Sequence, residues 1–200
     1  MVSNLVAAQT AGGEGLDDQT VLGLLMLFLG GGQETTGKAI TSGLRLLGER
    51  PQLQRRLRTE PDRLPGFIEE VLRFEPPVRG IFRFATRDTT IGGVEVPEGS
   101  FVQLMWASGN RDEQAFEQSD AFDPERYAGD RRPPRPMLTY GHGIHLCPGA
   151  HLARLQIRVA FEELFGRFAS IRLAEDNPYH YVRSHTLRGL AGLWLDLEPA

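Results

Sequence analysis

The feature that most constrains this chain is a helical pattern running from Leu16 to about Glu49, with three consecutive glycines, Gly30, Gly31 and Gly32, in its interior. The pattern is too long and too apolar on several faces for a surface helix, so it is expected to lie at the centre of the molecule, buried by neighbours. Asp17 stands just before it as a side-chain cap, and Asp18 in the first turn suits the positive end of the helix dipole. Each interior glycine costs up to ~1 kcal/mol relative to alanine, or ~3 kcal/mol for the run. Glu34 and Thr35 follow at once, an acid beside a hydroxyl on an otherwise apolar helix. Two explanations stay open. The glycines open a ligand groove served by Glu34 and Thr35 as a proton-delivery pair, or they mark a helix–helix crossing with Glu34 reaching solvent.

Around that helix the chain reads as one helix-dominated unit over residues 1–200, mainly α with minor β. Its 200 residues suit one ordinary domain or half of a larger one. With 40% apolar and 24% charged residues it is globular in composition. A net charge of −4 provides no general field for nucleic acid or an anionic membrane. The longest apolar run, Val21 to Leu29, falls short of the ~20 residues of a bilayer span, and no secretory signal opens the chain. A single cysteine, Cys147, excludes an internal disulfide and fits a reducing, cytoplasmic compartment.

The coarse order of elements follows from local signals. A breaker cluster, Gly12, Gly13 and Gly15, follows the short apolar stretch Leu5 to Ala8. Pro51 suits the first turn of an Arg-rich helix, and another helix from Leu64 to Phe74 stops at Pro76-Pro77. Phe82 to Val96 turns β-like around Gly92-Gly93, and Phe101 to Trp106 forms a second apolar strand. Asp112 to Pro136 is a charged meander, Leu138 to Leu146 a Gly/His loop, and Pro148 starts a strong helix through Phe168. Short strands fill the tail from Ile171 to Leu197.

Three further motifs carry chemistry to different degrees. Glu70 and Arg73 share a helical face at i, i+3 and can pair; taken alone, such a pair is exposed and worth only ~0.3–0.5 kcal/mol. Phe122-Asp-Pro-Glu-Arg126 is, alone, an aromatic-anchored turn. The sharpest motif is Leu138-Thr-Tyr140-Gly-His-Gly-Ile-His-Leu-Cys147-Pro-Gly149, which runs into His151 and Arg154. It sets the only cysteine at the start of a helix, where free N–H groups favour a thiolate. Such a thiolate is a nucleophile or a metal ligand. Zinc held by His142, His145, Cys147 and His151 meets too tight a spacing between His145 and Cys147. A nucleophile needs an orienting Asn or Asp that is not recognisable. A haem iron held by Cys147 is the third reading, and it alone also explains the distant glycine run.

Together the motifs resemble the cytochrome P450 family. Tyr140 to Gly149 is similar to its cysteine-ligand loop, Gly31-Gly-Gln-Glu-Thr35 to the oxygen-activation stretch of its I helix, and Glu70-Val-Leu-Arg73 to its K-helix Glu-x-x-Arg. Asn110-Arg-Asp112 and Leu187-Arg-Gly189 extend the likeness over essentially the whole chain. The resemblance implies the C-terminal portion of that fold: long I helix, K helix, meander, cysteine loop and L helix.

By position it also implies roles. Cys147 would be the thiolate ligand of the iron of haem b, with Tyr140, Gly141 and Gly149 in its loop. Gly31 and Gly32 would open the groove across which Glu34 and Thr35 relay protons. Arg83 and His145 would hold the propionates. Glu70, Arg73 and Arg126 would form a buried structural triad, and Val78, Gly80, Ile81 and Thr186 would line the substrate pocket. The implied activity is that of a soluble bacterial monooxygenase that inserts one oxygen atom of O2 into a small hydrophobic substrate. Its electrons would come from a ferredoxin-type donor and its reductase, met by a basic face of Arg131, Arg132, Arg135, Arg154 and Arg158, if that face is not simply solvated.

Two departures stand out. Tyr140 replaces the usual phenylalanine, and Pro148 brings no N–H to the sulfur, which is expected to lower the iron potential. Family members are about twice this long, so the N-terminal half is expected to be absent or supplied by a separate chain. A truncated, non-catalytic haem-binding or structural remnant is therefore the rival expectation.

Overall fold

The computed structural model describes residues 3, 4, 7, 15–128 and 136–200. Gly12 and Gly13, all of Leu5 to Ala8 but Ala7, and the basic residues Arg131, Arg132 and Arg135 lie outside the described residues. The chain divides into two compact units, Met1–Thr35 and Thr36–Ala200, with the first long helix, α1 (Asp18–Gly48), running from one into the other.

In the first unit the start of α1 is capped as its sequence suggests. Asp17 Oδ1 accepts the Thr20 backbone N–H at 2.8 Å and Oδ2 the Thr20 hydroxyl at 2.8 Å. Burial does not follow the expectation. Leu22, Met26, Leu27 and Leu29 are exposed, and every buried residue of α1 lies at Thr36 or later. Apolar periodicity shows that a surface wants covering; it does not supply the cover. In the second unit that cover exists.

There, α1 from Thr36 packs with α2 (Pro51–Thr59), α3 (Leu64–Phe74), α5 (Ala150–Arg167) and β5 (Phe168–Leu173) around one core of Ala39, Leu47, Leu57, Phe67, Val71, Ile157, Phe161 and Ile171. α3 buries Leu64, Phe67, Ile68, Val71 and Leu72, the i, i+3, i+4, i+7, i+8 stripe of an amphipathic helix. It ends at Phe74, ahead of Pro76 and Pro77. The crossing of α1 on α5 requires glycine: a Cβ at Gly43 would lie 2.7 Å from Phe161 Cζ. Phe161 in turn meets Phe67 edge-on at 5.5 Å. Gln54 ties α2 to β5, donating to Ile171 O at 2.8 Å and accepting from Ile171 N at 3.0 Å, so a side-chain amide stands in for a strand.

Among the described residues the strands form three two-stranded antiparallel sheets. β1 (Ile81–Phe84) pairs with β4 (Phe101–Leu104), β2 (Thr89–Ile91) with β3 (Val94–Val96), and β5 with β6 (Leu195–Pro199). Gly92 and Gly93 both take positive φ, 58° and 82°, the pattern of a tight hairpin turn that suits strand twist. A short helix α4 (Trp106–Gly109) follows β4, and turns run through the meander as far as Ala128. No described helix is long and apolar enough to cross a membrane.

Candidate functional site

Glu70 and Arg73 are both fully buried on α3 and form a two-pronged ion pair, with Arg73 Nε and Nη2 each 2.7 Å from a Glu70 oxygen. Arg73 Nη1 donates to the carbonyls of Asn110 at 2.9 Å and Ser119 at 2.7 Å, and Nη2 also donates to Ala121 O at 2.8 Å. All five guanidinium donors are thereby used. Glu70 also accepts from Asp123 N at 2.8 Å and from Arg126 Nε at 3.2 Å. Arg126 continues to Glu117 O at 2.7 Å. The pair fastens the meander onto α3; it is neither exposed nor weak.

A second buried network leads from α3 towards the cysteine loop. Asn110, fully buried, donates to Arg73 O at 3.3 Å and Thr139 Oγ1 at 2.9 Å and accepts from Leu138 N at 2.6 Å. Thr139 donates to Leu72 O at 2.7 Å. The two residues that precede Tyr140 are thus fixed on the end of α3.

From there the loop doubles back. Gly141 N donates to Leu138 O at 2.8 Å and Cys147 N to Tyr140 O at 2.8 Å. The reversal needs a positive φ of 74° at Gly141, where a Cβ would also lie 3.1 Å from His145 O. A single 3-10 turn, Gly143–His145, precedes Cys147, and α5 begins at Ala150. Cys147 is half-buried, and no hydrogen bond reaches its Sγ among the described residues. Gly149 leaves bare backbone beside it, since a Cβ there would stand 3.8 Å from the sulfur. The flanking Ile144 and Leu146 are exposed, the first almost completely. Tyr140 packs against the core with Arg154 4.4 Å above its ring, and its buried hydroxyl has no hydrogen-bond partner among the described residues. Burial pushes that hydroxyl's pKa up to about 12, with the charge of Glu69 and the nearby Cys147 adding to the effect and Arg154 opposing it.

The expected pocket residues converge elsewhere in the same unit. Val78 bridges Leu187, and Arg79 N donates to Thr186 O at 2.6 Å, which sets Val78 and Gly80 alongside Thr186. Gly80 abuts the backbone of Leu104, and Ile81 pairs with Leu104 across β1 and β4. Arg83 on β1 donates only to the neighbouring Phe82 O, at 2.8 Å, and pairs with no carboxylate among the described residues. His145 is exposed.

In the first unit, Thr35 Oγ1 donates to Gly31 O at 2.6 Å, one turn back. A Cβ at Gly30, Gly31 or Gly32 would meet nothing within 4 Å. The described residues therefore offer no close helix crossing at the glycine run.

Comparison with known proteins decides the family. The cytochrome P450 family model matches residues 1–180. This chain belongs to the cytochrome P450 family. A putative cytochrome P450 126 of Mycobacterium tuberculosis is 37% identical over 183 residues, which are 92% of this chain and 42% of the relative. An erythromycin C-12 hydroxylase of Saccharopolyspora erythraea is 36% identical over 177 residues, 88% of this chain and 43% of that protein. A substrate-free P450 structure from Mycobacterium marinum superposes with a TM-score of 0.90 at 33% identity, covering 99% of this chain and 49% of that one. The chain thus has the P450 fold, helical with minor sheets, and spans under half the length of the curated relatives it matches.

The residues present fit the haem that the family implies. A structural zinc ion asks for three or four side-chain donors, whereas a P450 iron takes one thiolate from the protein. Among the described residues no three His, Cys, Asp or Glu side chains could together hold a metal ion, so His142, His145 and His151 do not join Cys147 as a donor set. What the loop offers is one sulfur with uncommitted lone pairs, bare glycine backbone, exposed apolar Ile144 and Leu146, and, on β1, an unpaired guanidinium at Arg83.

Sequence reasoning missed two contributors. Asn110 and Glu69 each enter the sequence reading only as members of a motif with no role of their own, although Glu69 grips Arg154 through two contacts of 2.5 and 2.9 Å. Their partners lie 37 and 85 residues away in sequence, and only the spacing of unpaired charges on α3 and α5 hints at the second. Of the expected basic face, Arg154 is held by Glu69 and Arg158 pairs with Glu162 at 2.6 Å.

Proposed function

We propose that this chain is the haem-ligating portion of a bacterial-type P450 monooxygenase, with Cys147 as the proximal ligand of haem b. The observation that carries the reading is Cys147 itself, a lone half-buried sulfur presented by a loop anchored on both sides and free of competing hydrogen bonds. Bound there, haem would supply the thiolate-ligated iron at which dioxygen is activated and one oxygen atom inserted into a small hydrophobic substrate.

The chain's own residues do the rest. Tyr140 O holds the Cys147 amide, Gly141 makes the positive-φ reversal of the loop, and Gly149 keeps a side chain away from the sulfur. Arg83 and His145 would hold the two propionates, the guanidinium by charge-assisted hydrogen bonds. Glu34 and Thr35 would hold and pass protons, at a carboxylate and at Oγ1; the hydroxyl must first release Gly31 O. Gly31 and Gly32 leave the helix backbone uncovered for close approach. Val78, Gly80, Ile81 and Thr186 would contact the substrate. A ferredoxin-type donor and its reductase would supply electrons, in a cytoplasmic setting that suits the single free cysteine.

A carbon-monoxide difference spectrum of the reduced, haem-reconstituted chain tests the reading. A thiolate-type Soret band is the expected result, abolished in Cys147→Ser. Failure to take up haem at all would overturn it for this chain. The chain spans less than half of the curated relatives it matches, and the second reading is a haem-binding form that turns over only together with another polypeptide. In the catalytic reading, Thr35→Ala uncouples oxygen consumption from product formation, whereas in the second no product forms until that polypeptide is added.

A further inference from the structure

The cysteine loop is held from below by a stack that spans two helices. Glu69 on α3 takes Arg154 Nε at 2.5 Å and Nη2 at 2.9 Å, a fork-to-fork contact that fixes the guanidinium plane. That plane lies 4.4 Å from the centre of the Tyr140 ring. Arg154 Nη1 also reaches back to Ala150 O at 3.4 Å, in the first turn of α5. Tyr140 is the residue whose carbonyl accepts the Cys147 amide at 2.8 Å. The hydroxyl end of the same ring is buried and makes no hydrogen bond among the described residues, so none of them anchors the ring by a polar contact at its far end. Tyr140 packs against the hydrophobic core, and the polar contacts that orient it are the loop backbone on one side and Arg154 on the other.

We propose that Arg154, clamped by Glu69 and stacked on Tyr140, is the positioning residue that holds the Cys147 loop in its ligand-ready shape before haem arrives. The inference rests on the haem-thiolate reading for its purpose, whereas the contacts it invokes join protein groups only. Arginine is the residue such a role demands. Its planar face stacks on an aromatic ring while its edge forks a carboxylate, whereas a lysine ammonium is a compact point charge that lies over a ring or meets a carboxylate without that fork. Glu69 keeps the guanidinium from turning towards solvent, which it half reaches. The loop would then need no ordering when haem binds, and the ordering cost is met during folding.

Amide hydrogen exchange of the haem-free chain, followed residue by residue by NMR, tests this directly. In the wild type the Cys147 amide should exchange far more slowly than a free peptide. Arg154→Leu should speed it at least tenfold while the Ile171 amide, bonded to Gln54 in the core, keeps its rate. Arg154→Lys should restore part of the protection, and Glu69→Gln, which keeps the shape but drops the charge, should fall between lysine and leucine. If Arg154→Leu loosens Ile171 as well, Glu69→Gln alone decides, read by the same two amides. Cys147 exchange within twofold of wild type in the deciding variant, or an unprotected Cys147 amide in the wild type, overturns the proposal. Haem uptake is scored separately: a chain that binds no haem refutes the haem-thiolate reading and leaves these exchange rates as they stand.

Discussion

Replacing Glu70 by glutamine changes one oxygen for an NH2 group in a site with no room for the exchange. The carboxylate is fully buried and receives four hydrogen bonds: Arg73 Nη2 and Asp123 N on one oxygen, Arg73 Nε and Arg126 Nε on the other. Four is about the acceptor capacity of a carboxylate. Whichever way the amide is flipped, its NH2 faces two N–H donors, so two hydrogen bonds become donor–donor contacts. The ion pair is lost as well, leaving the Arg73 charge buried with only carbonyl partners. Breaking a buried pair from one side costs ~3–5 kcal/mol. The carbonyl bonds of Arg73 to Asn110, Ser119 and Ala121 survive, which argues for the middle of that range, ~4 kcal/mol.

Urea unfolding followed by far-UV circular dichroism reads the effect. With a slope of roughly 2 kcal/mol per molar, the Glu70→Gln midpoint should fall by about 2 M. Glu70→Asp keeps the charge and shortens the reach, and should lose less. A Glu70→Gln chain within ~1 kcal/mol of the wild type would refute the accounting, because conservative shape would then have outweighed saturated donor geometry.

Other consequences follow from packing and burial. Gly43→Ala must push a methyl into Phe161 and should cost ~1–3 kcal/mol, whereas Gly31→Ala meets nothing within 4 Å and should stabilise the haem-free chain by ~0.5–1 kcal/mol; thermal melts giving the same sign for both would contradict the packing argument. Burial raises the pKa of Tyr140 from its ordinary 10 to about 12, and burial together with the Glu70 charge raises that of Tyr127 further. Both tyrosines are neutral below pH 10 in folded and unfolded chains alike, so stability should fall as the pH rises from about 10 to about 12, where the unfolded chain ionises first. The Tyr140 share, roughly 2–3 kcal/mol, should vanish in Tyr140→Phe, and an unchanged slope of stability against pH in that variant would count against its burial.

Local signals in the sequence located most elements because their causes are local. Pro51 opens α2, Asp17 caps α1, Gly92 and Gly93 turn the hairpin, and paired prolines follow α3. Burial was less legible. Glu70 and Arg73 at i, i+3 look the same whether solvated or enclosed, and only the meander carbonyls folding over Arg73 make the difference. Conversely, Leu22, Met26, Leu27 and Leu29 read as core and stand exposed, since a helix face records what it would pack against, not whether that surface is present. The cysteine loop was recognised from its composition, but its supports, Asn110 and the Glu69–Arg154 clamp, join residues far apart in sequence and leave no periodic trace.

Counting donors and acceptors separates the charged groups of this chain by purpose. Arg73 uses all five of its N–H groups and Glu70 all four of its acceptor sites, so neither can bind anything further; their chemistry is completed within the fold. Among the described residues, the Arg83 side chain uses one donor on its neighbour's carbonyl, and Cys147 Sγ accepts no hydrogen bond. Family resemblance assigned both sets together, but the geometry divides them. The saturated set fastens the meander to α3 through protein groups alone, and the unsaturated set is where a ligand would be felt. On that division, haem binding should shift the environments of Cys147 and Arg83 and leave Glu70, Arg73 and Asn110 where they are. Arginine side-chain NMR resonances measured before and after reconstitution would register a change at Arg83 and none at Arg73; a large shift at Arg73 would show that the buried network is not complete without the cofactor.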